Sequence, residues 1–395
     1  MMSYTELEAQ SARLREEMIR LRRDFHRYPE LGFEEKRTSS VIAEYLRGLG
    51  IGVKTGIART GVVGLLEGAM PGRTLMLRAD MDALPIQELN KGDYCSVNPG
   101  VMHACGHDGH VAILLGTARL LSTLRDSLKG RVKFVFQPAE ENLGGARLMI
   151  KEGVLEGPHV DAAFGLHLIS QFPYGYIACR KGPFMASMDT FTIRILGRSG
   201  HSAMPDGSID AIALAAGVVS DMGAYIKKAL KPEHPVIVNI GTIHGGAAPN
   251  IVADKVELTG TVRALDEGIR SSIKGLMEGF LRETTKAVQG EFELDYEPGY
   301  PVTVNDGTMT DLVLRTASTI AGKEHVIEMP PSMASEDMSF YLKEVPGCFF
   351  FAGAGAPDPA LNRPHHNPFF TIDERSLEMG LKMMAGVSVE YLETA

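Results

Sequence analysis

The chain has 395 residues, 44% of them hydrophobic and 23% charged, the balance of a packed globular protein with room for two ordinary domains. A net charge of −9 argues against nucleic acid or an anionic membrane as partner, since neither would be attracted. No apolar run approaches the roughly 18 to 20 residues of a membrane span, and four scattered cysteines do not make a disulfide framework.

Met1 to Arg23 is charged and helix-like, without the apolar centre of a signal sequence, so a cytoplasmic protein is the simple expectation. Leu7, Leu14, Met18, Leu21 and Phe25 recur at helical spacing, which predicts a helix over residues 5–26. The stretch from His26 to Gly32 breaks it, and a second helix is expected from Glu35 to Leu49. Strand-like runs follow at Gly61 to Glu67 and Thr74 to Arg78, the latter leading into Asp80 and Asp82. Next comes Val101-Met-His-Ala-Cys-Gly-His-Asp-Gly-His110, a glycine-rich turn opening the apolar helix Val111 to Leu121. Arg131 to Phe136 reads as a strand ending in Gln137-Pro-Ala-Glu-Glu141, and Val160 to Leu168 as another ending at His167. Each strand thus delivers an acid or a histidine at its carboxyl end, where open α/β sheets form their sites.

Near residue 186 the texture changes. Ser187–Leu196, Val236–Ile243, Lys255–Ala264 and Glu291–Tyr296 read as strands, and Ile209–Leu230 and Gly268–Val288 as helices. The order β-α-β-β-α-β is that of a ferredoxin-like domain. Gly197 to Asp206 is expected as a polar loop. The α/β texture resumes near Tyr300, so the domains run 1–185, 186–298 and 299–395, the second interrupting one α/β domain.

Cys105 and His107 are close enough in sequence to reach one metal, and thiolate and imidazole suit zinc or similar divalent ions. Two other readings stand beside this: a nucleophilic thiol with His107 as base, or a plain buried cysteine. Glu140 and Glu141 can divide work between metal binding and proton transfer, or form a solvated acidic loop. His167 and His366 can be ligands or structural histidines, with His365 a rival to His366. His103 and His110 are expected to be structural or to support a ligand. Asp80 and Asp82 can orient a histidine ligand or cap strand ends. His201, on the polar loop, is either exposed or a group that stabilises an oxyanion. Asn250 and Arg263 can grip a substrate carboxylate or carbonyl, or serve as a loop cap and a surface ion pair.

The segments Met102-His-Ala-Cys-Gly-His-Asp108, Gln137-Pro-Ala-Glu-Glu141, Gly165-Leu-His167, Gly200-His-Ser-Ala-Met-Pro205 and His366-Asn-Pro368, in this order, resemble the dinuclear metallo-amidohydrolases of the aminoacylase/carboxypeptidase family. The branch is that of hippurate hydrolases, N-acyl-amino-acid amidohydrolases and auxin-conjugate hydrolases, and nearly the whole chain is covered. The resemblance implies a mixed-sheet, metallopeptidase-like catalytic domain interrupted by a ferredoxin-like dimerisation or lid domain. It implies two divalent ions per subunit, zinc or manganese, with cobalt and nickel also suited. The ligands would be Cys105, His107, Glu141, His167 and His366, with Cys105 shared between the ions. Glu140 would be the general base, and His201 would reach the partner subunit's site in a homodimer or higher homo-oligomer. Expected substrates are N-acyl-amino acids, hippurate-like or acetylated. Carboxypeptidase branches typically bridge with an aspartate, so Cys105 points towards acyl-amino acids. The glycine run of the family after Glu141 is missing, since Asn142 and Leu143 stand there. Competing readings are a dipeptidase or carboxypeptidase with the same site, a binding protein whose metals only hold a pocket, and a thiol hydrolase.

Overall fold

A computed structural model describes residues 3–141, 144–231 and 235–394. The chain divides into two compact units, Met1–Gly182 with Val304–Pro330 and Asp337–Ala395, and Pro183–Thr303 with Pro331–Glu336.

The first unit is built on an eight-stranded mixed sheet. Its spatial order is Gly52–Ile57, Gly61–Glu67, Lys129–Gln137, Met70–Asp80, Ala162–Pro173, Gly347–Gly355, Ile177–Cys179, Val326–Glu328. The four central strands are parallel. Sheets buried on both faces need near-continuous apolar strands. Leu75, Leu77, Phe134, Phe136, Phe164 and Phe350 meet that need and are fully buried. Each such side chain contributes roughly 1.5–3 kcal/mol. The helix His107–Ser122 is buried nearly all round, packed against helices Tyr4–Arg27 and Arg375–Thr394 as well as the sheet. Close approach is set by Gly116, where an added Cβ would lie 2.7 Å from Leu381 and Met18.

The sequence missed the strand Gly52–Ile57, which is mostly exposed and carries polar residues at an edge. The strand expected to end at His167 continues to Pro173, because its neighbour Gly347–Gly355 keeps pairing with it past Gly353. Its other neighbour, Met70–Asp80, pairs only as far as Arg78↔Gly165. His167 therefore lies beyond the paired region on that side.

The second unit is a four-stranded antiparallel sheet in the order Val236–Gly245, Lys255–Ala264, Met188–Leu196, Glu291–Tyr300, with helices Ala211–Ala229 and Glu267–Lys286. Counted along the chain, this is the 2-3-1-4 order of a ferredoxin-like sheet. Phe191, Ile193 and Ile195 alternate into the core, while Arg194 pairs across strands with Glu257 at 3.0 Å and Asp295 at 2.6 Å. Asp210 and Asp266 cap the two helices. Pro331–Glu336 joins this unit from far along the chain, tied by Ala186 N donating to Ser332 O at 3.0 Å. The expected polar loop 197–206 contains a short strand, Gly200–His201, paired with Ile251–Val252.

Candidate metal centre

Three parallel strands and two loops of the first unit bring Asp80, Asp82, Cys105, His107, Glu140, Glu141, His167 and His366 together. Gly106, in the left-handed region at φ +89°, turns the chain into its helix, so Cys105 precedes the first turn and His107 opens it. Glu140 and Glu141 sit on a turn closed by Gly145 N donating to Ala139 O at 3.0 Å. Only glycine fits there, since a Cβ on Gly145 would fall 1.7 Å from Pro138 O. His366 is drawn in by its own backbone N–H, which donates to Ala104 O at 2.8 Å. Ala139 (φ +56°) and His366 (φ +63°) both hold left-handed conformations that side chains disfavour by about 1–3 kcal/mol. Such strain persists only where surrounding bonds over-determine it, and Glu35 Oε1 accepts Ala139 N at 3.0 Å.

Two triads share Cys105. Cys105, His107 and His167 form one; Cys105, Glu141 and His366 form the other; in each, donor atoms lie within 4.8 Å of one another. Cys105 Sγ is 3.5 Å from His167 Nε2, and His366 Nε2 is 3.1 Å from Glu141 Oε1. A tetrahedral ion with Zn–S near 2.3 Å and Zn–N near 2.05 Å would space sulfur and nitrogen by roughly 3.6 Å. Among the described residues, the buried His107 Nε2 has no hydrogen-bond partner, and it faces Glu141 Oε1 at 4.0 Å. These distances and the orphaned nitrogen fit divalent metal. His366 rather than His365 takes part in a triad; His365 packs its ring against His167 and Phe370.

Supporting groups fix the tautomers. His107 Nδ1 donates to Asp82 O at 2.9 Å, and His167 Nδ1 to Leu168 O at 2.9 Å, so both Nε2 atoms stay free for a metal. Asp82 is buried and its two carboxylate oxygens accept Glu140 N and Glu141 N, each at 3.0 Å. His110 donates from Nδ1 to Asp80 at 2.6 Å and accepts Leu168 N at 2.9 Å. His103 is buried, and neither ring nitrogen has a hydrogen-bond partner among the described residues. Sequence reasoning gave no part to Glu35 or Arg78; Glu35 meets Thr60 and Ala139, and Arg78, beyond its neighbour Asp80, meets Gln137 and Asp337, all distant in the chain.

Burial, then the charge of Glu141, pushes the Cys105 thiol well above its ordinary range. Burial works against protonated His107, but Asp80, Asp82 and Cys105 outweigh it and hold its pKa well above the usual imidazole value. A metal must displace protons from both.

The missing glycine run at Asn142 and Leu143 lies outside the described residues. His201, Asn250 and Arg263 belong to the second unit. His201 and Asn250 are exposed neighbours, with Ser202 N donating to Asn250 O at 3.1 Å. Arg263 is half-buried and donates to Met333 O at 3.0 Å and Ser335 Oγ at 3.3 Å. The His201 segment springs from Leu196, which pairs with Lys255, whereas Arg263 lies beyond the Val262↔Asp189 pair at the other end. Seven residues of strand separate these ends by roughly 24 Å. Within one copy of the unit, the His201 segment and Arg263 thus leave from opposite ends of the sheet.

No helix among the described residues is long and apolar enough to cross a membrane. Thermostable carboxypeptidase 1 of Saccharolobus solfataricus is 40% identical over 378 residues, 95% of each chain. The N-acyl-L-amino acid amidohydrolase of Geobacillus stearothermophilus is 42% identical over 290 residues, 73% of this chain and 78% of that one. The crystal structure of Bacillus subtilis YxeP, described as a dinuclear metal binding peptidase, superposes with a TM-score of 0.86 at 33% identity, covering 97% of this chain and 100% of that one. Residues 76–389 match the model of peptidase family M20/M25/M40. With candidate metal-ligand clusters, a mixed-sheet fold and these relatives agreeing, the chain belongs to the peptidase family M20/M25/M40 and is a hydrolase of carbon–nitrogen bonds.

Proposed function

We propose that this protein hydrolyses the amide bond of N-acyl-amino acids, hippurate-like or acetylated, to a carboxylic acid and a free amino acid. The observation that carries the reading is the pair of candidate ligand triads meeting at Cys105, with Glu140 and Glu141 both held by Asp82. Two divalent ions, held by Cys105, His107, Glu141, His167 and His366, would supply Lewis acidity and a water whose pKa falls towards roughly 7. Glu140 takes the proton of the attacking water and passes it to the leaving amine. Asp82 keeps Glu140 in place by fixing its backbone N–H. His201 donates to the oxygen that gains charge as the carbonyl carbon becomes tetrahedral. Asn250 holds the substrate beside His201, and Arg263 binds its carboxylate.

The separation of His201 from Arg263 supports a homodimer in which His201 and Asn250 act in the partner's site. The strand Val236–Gly245 lies at a sheet edge and is exposed through its second half, which suits pairing between copies. Zinc or manganese is the expected metal and the cytoplasm the expected location. Carboxypeptidase action is the second reading, favoured by a relative of that name at 40% identity over 95% of the chain, which weakens the inference that Cys105 points away from peptidases.

The test is release of free amino acid from a panel of N-acyl-amino acids, hippurate included, by chelator-stripped protein with and without Mn²⁺ or Zn²⁺. Metal-dependent release supports the proposal. Turnover of C-terminally unblocked peptides alone shifts the assignment to a carboxypeptidase, and inactivity on both rejects it.

A further inference from the structure

Behind the ligands lies a buried guanidinium. Arg78 is 2% exposed, and its guanidinium donates to Asp80, Gln137 and Asp337 among its partners. Nη1 donates to Asp80 Oδ2 at 2.8 Å, Nε to Gln137 Oε1 at 2.9 Å, and Nη2 to Asp337 Oδ1 at 2.7 Å. Both carboxylates are fully buried.

The partners lead to opposite halves of the site. Asp80 accepts His110 Nδ1, and His110 holds the backbone N–H of Leu168, beside His167. Asp80 Oδ2 also lies 3.7 Å from His107 Nε2. Asp337 holds the other half. It accepts Gln137 Nε2 at 2.8 Å and Ala146 N at 3.0 Å, one before and one after the turn that carries Glu140 and Glu141. Its own N–H lies 3.4 Å from Glu140 Oε1.

We propose that Arg78 is a positioning residue that locks the half of the site holding His107 and His167 to the half carrying Glu140 and Glu141 by bridging Asp80 and Asp337. The planar fork explains why arginine stands here: three separated acceptors in fixed directions match its geometry, and a lysine ammonium on a single stem reaches fewer of them. The kinetic part rests on the amidohydrolase reading above; the metal part does not.

The experiment compares Arg78→Lys, Asp80→Asn and Asp337→Asn with the wild type. Zn²⁺ affinity is measured by chelator competition, and kcat and KM with saturating Zn²⁺ on whichever N-acyl-amino acid or peptide the wild type hydrolyses. Partners that orient metal ligands are worth about 10–100-fold in affinity or activity. Arg78→Lys is expected to lose about that factor in Zn²⁺ affinity and also in kcat, with KM nearly unchanged. Asp80→Asn should move Zn²⁺ affinity most, and Asp337→Asn should lower kcat most, with a smaller loss of Zn²⁺ affinity through the Glu141 ligand on the same segment. Wild-type Zn²⁺ affinity in a folded Arg78→Lys protein overturns the proposal. So does equal loss of both properties in the Asp80 and Asp337 variants, which would mean general loosening. If Arg78→Lys does not fold, the split between the two aspartate variants decides. A wild type silent on every substrate defeats the functional reading, and Zn²⁺ affinity then decides the case for Arg78.

Discussion

Asp82 makes the sharpest test of how the catalytic turn is held. Its carboxylate accepts two successive backbone N–H groups, Glu140 and Glu141, both at 3.0 Å, the first bond buried and the second partly so. In Asp82→Asn one oxygen becomes an NH₂ group that faces an N–H instead of accepting it. One buried donor is then unsatisfied, which costs about 1–3 kcal/mol. At roughly 2–4 °C per kcal/mol for a body of this size, the melting temperature of the metal-free protein should fall by about 2–12 °C. The change also frees the turn and removes the negative charge 3.4 Å from His107 Nδ1. Metal affinity or kcat should therefore drop by about 10–100-fold. Thermal unfolding of the stripped protein, chelator competition and steady-state kinetics read these three effects. A variant with wild-type melting temperature, affinity and kcat would refute the idea that this carboxylate clamps the turn.

Glu140→Gln should keep its metal and lose at least about 10²-fold in kcat, read by metal content and turnover together; full activity would remove Glu140 from the proton path. Because Cys105 and His107 both hold their protons to high pH in the metal-free site, apparent metal affinity should fall as pH falls, by up to about a hundredfold per pH unit below both pKa values. Chelator competition at several pH values checks this, and a flat profile would contradict it. Burial pushes the Glu35 carboxyl up to about 7 despite its bond from Thr60. The folded state then holds more protons than the unfolded state between pH 4.5 and about 7, so stability is lost as pH rises through that window. Glu35→Gln should remove this slope, and denaturant melts at pH 5 and pH 8 that still differ as in the wild type would show another group responsible.

Much of this was legible in the chain because the chemistry sits at strand ends. The apolar runs before Asp80, Gln137 and His167 mark buried parallel strands, and the residues after them must enter one crevice. Cys105-Gly-His107 advertises a helix start with ligand-type side chains. The supports were not legible. Arg78 reads locally as one polar residue in a strand, and its meaning depends on Asp337, far along the chain. Glu35 looks like one of several acids before a helix until Ala139 is folded against it. Pro331–Glu336 returns to the second unit through backbone bonds that leave no periodic trace. The strand Gly52–Ile57 escaped because an edge strand facing water has no apolar alternation to show. The register placing His201 and Arg263 at opposite strand ends became visible only with the pairing in hand.

His366 reaches the site across its bond to Ala104, and it is made only after the whole second unit has been synthesised. At about 5–20 residues per second, the gap between His167 and His366 takes on the order of 10–40 s to synthesise. Through that interval the strand bearing His167 lacks its neighbour Gly347–Gly355, and the helix opened by His107 lacks Arg375–Thr394, on which it packs. On the proposed assignment, the two triads would therefore be completed together, only once the chain is nearly finished.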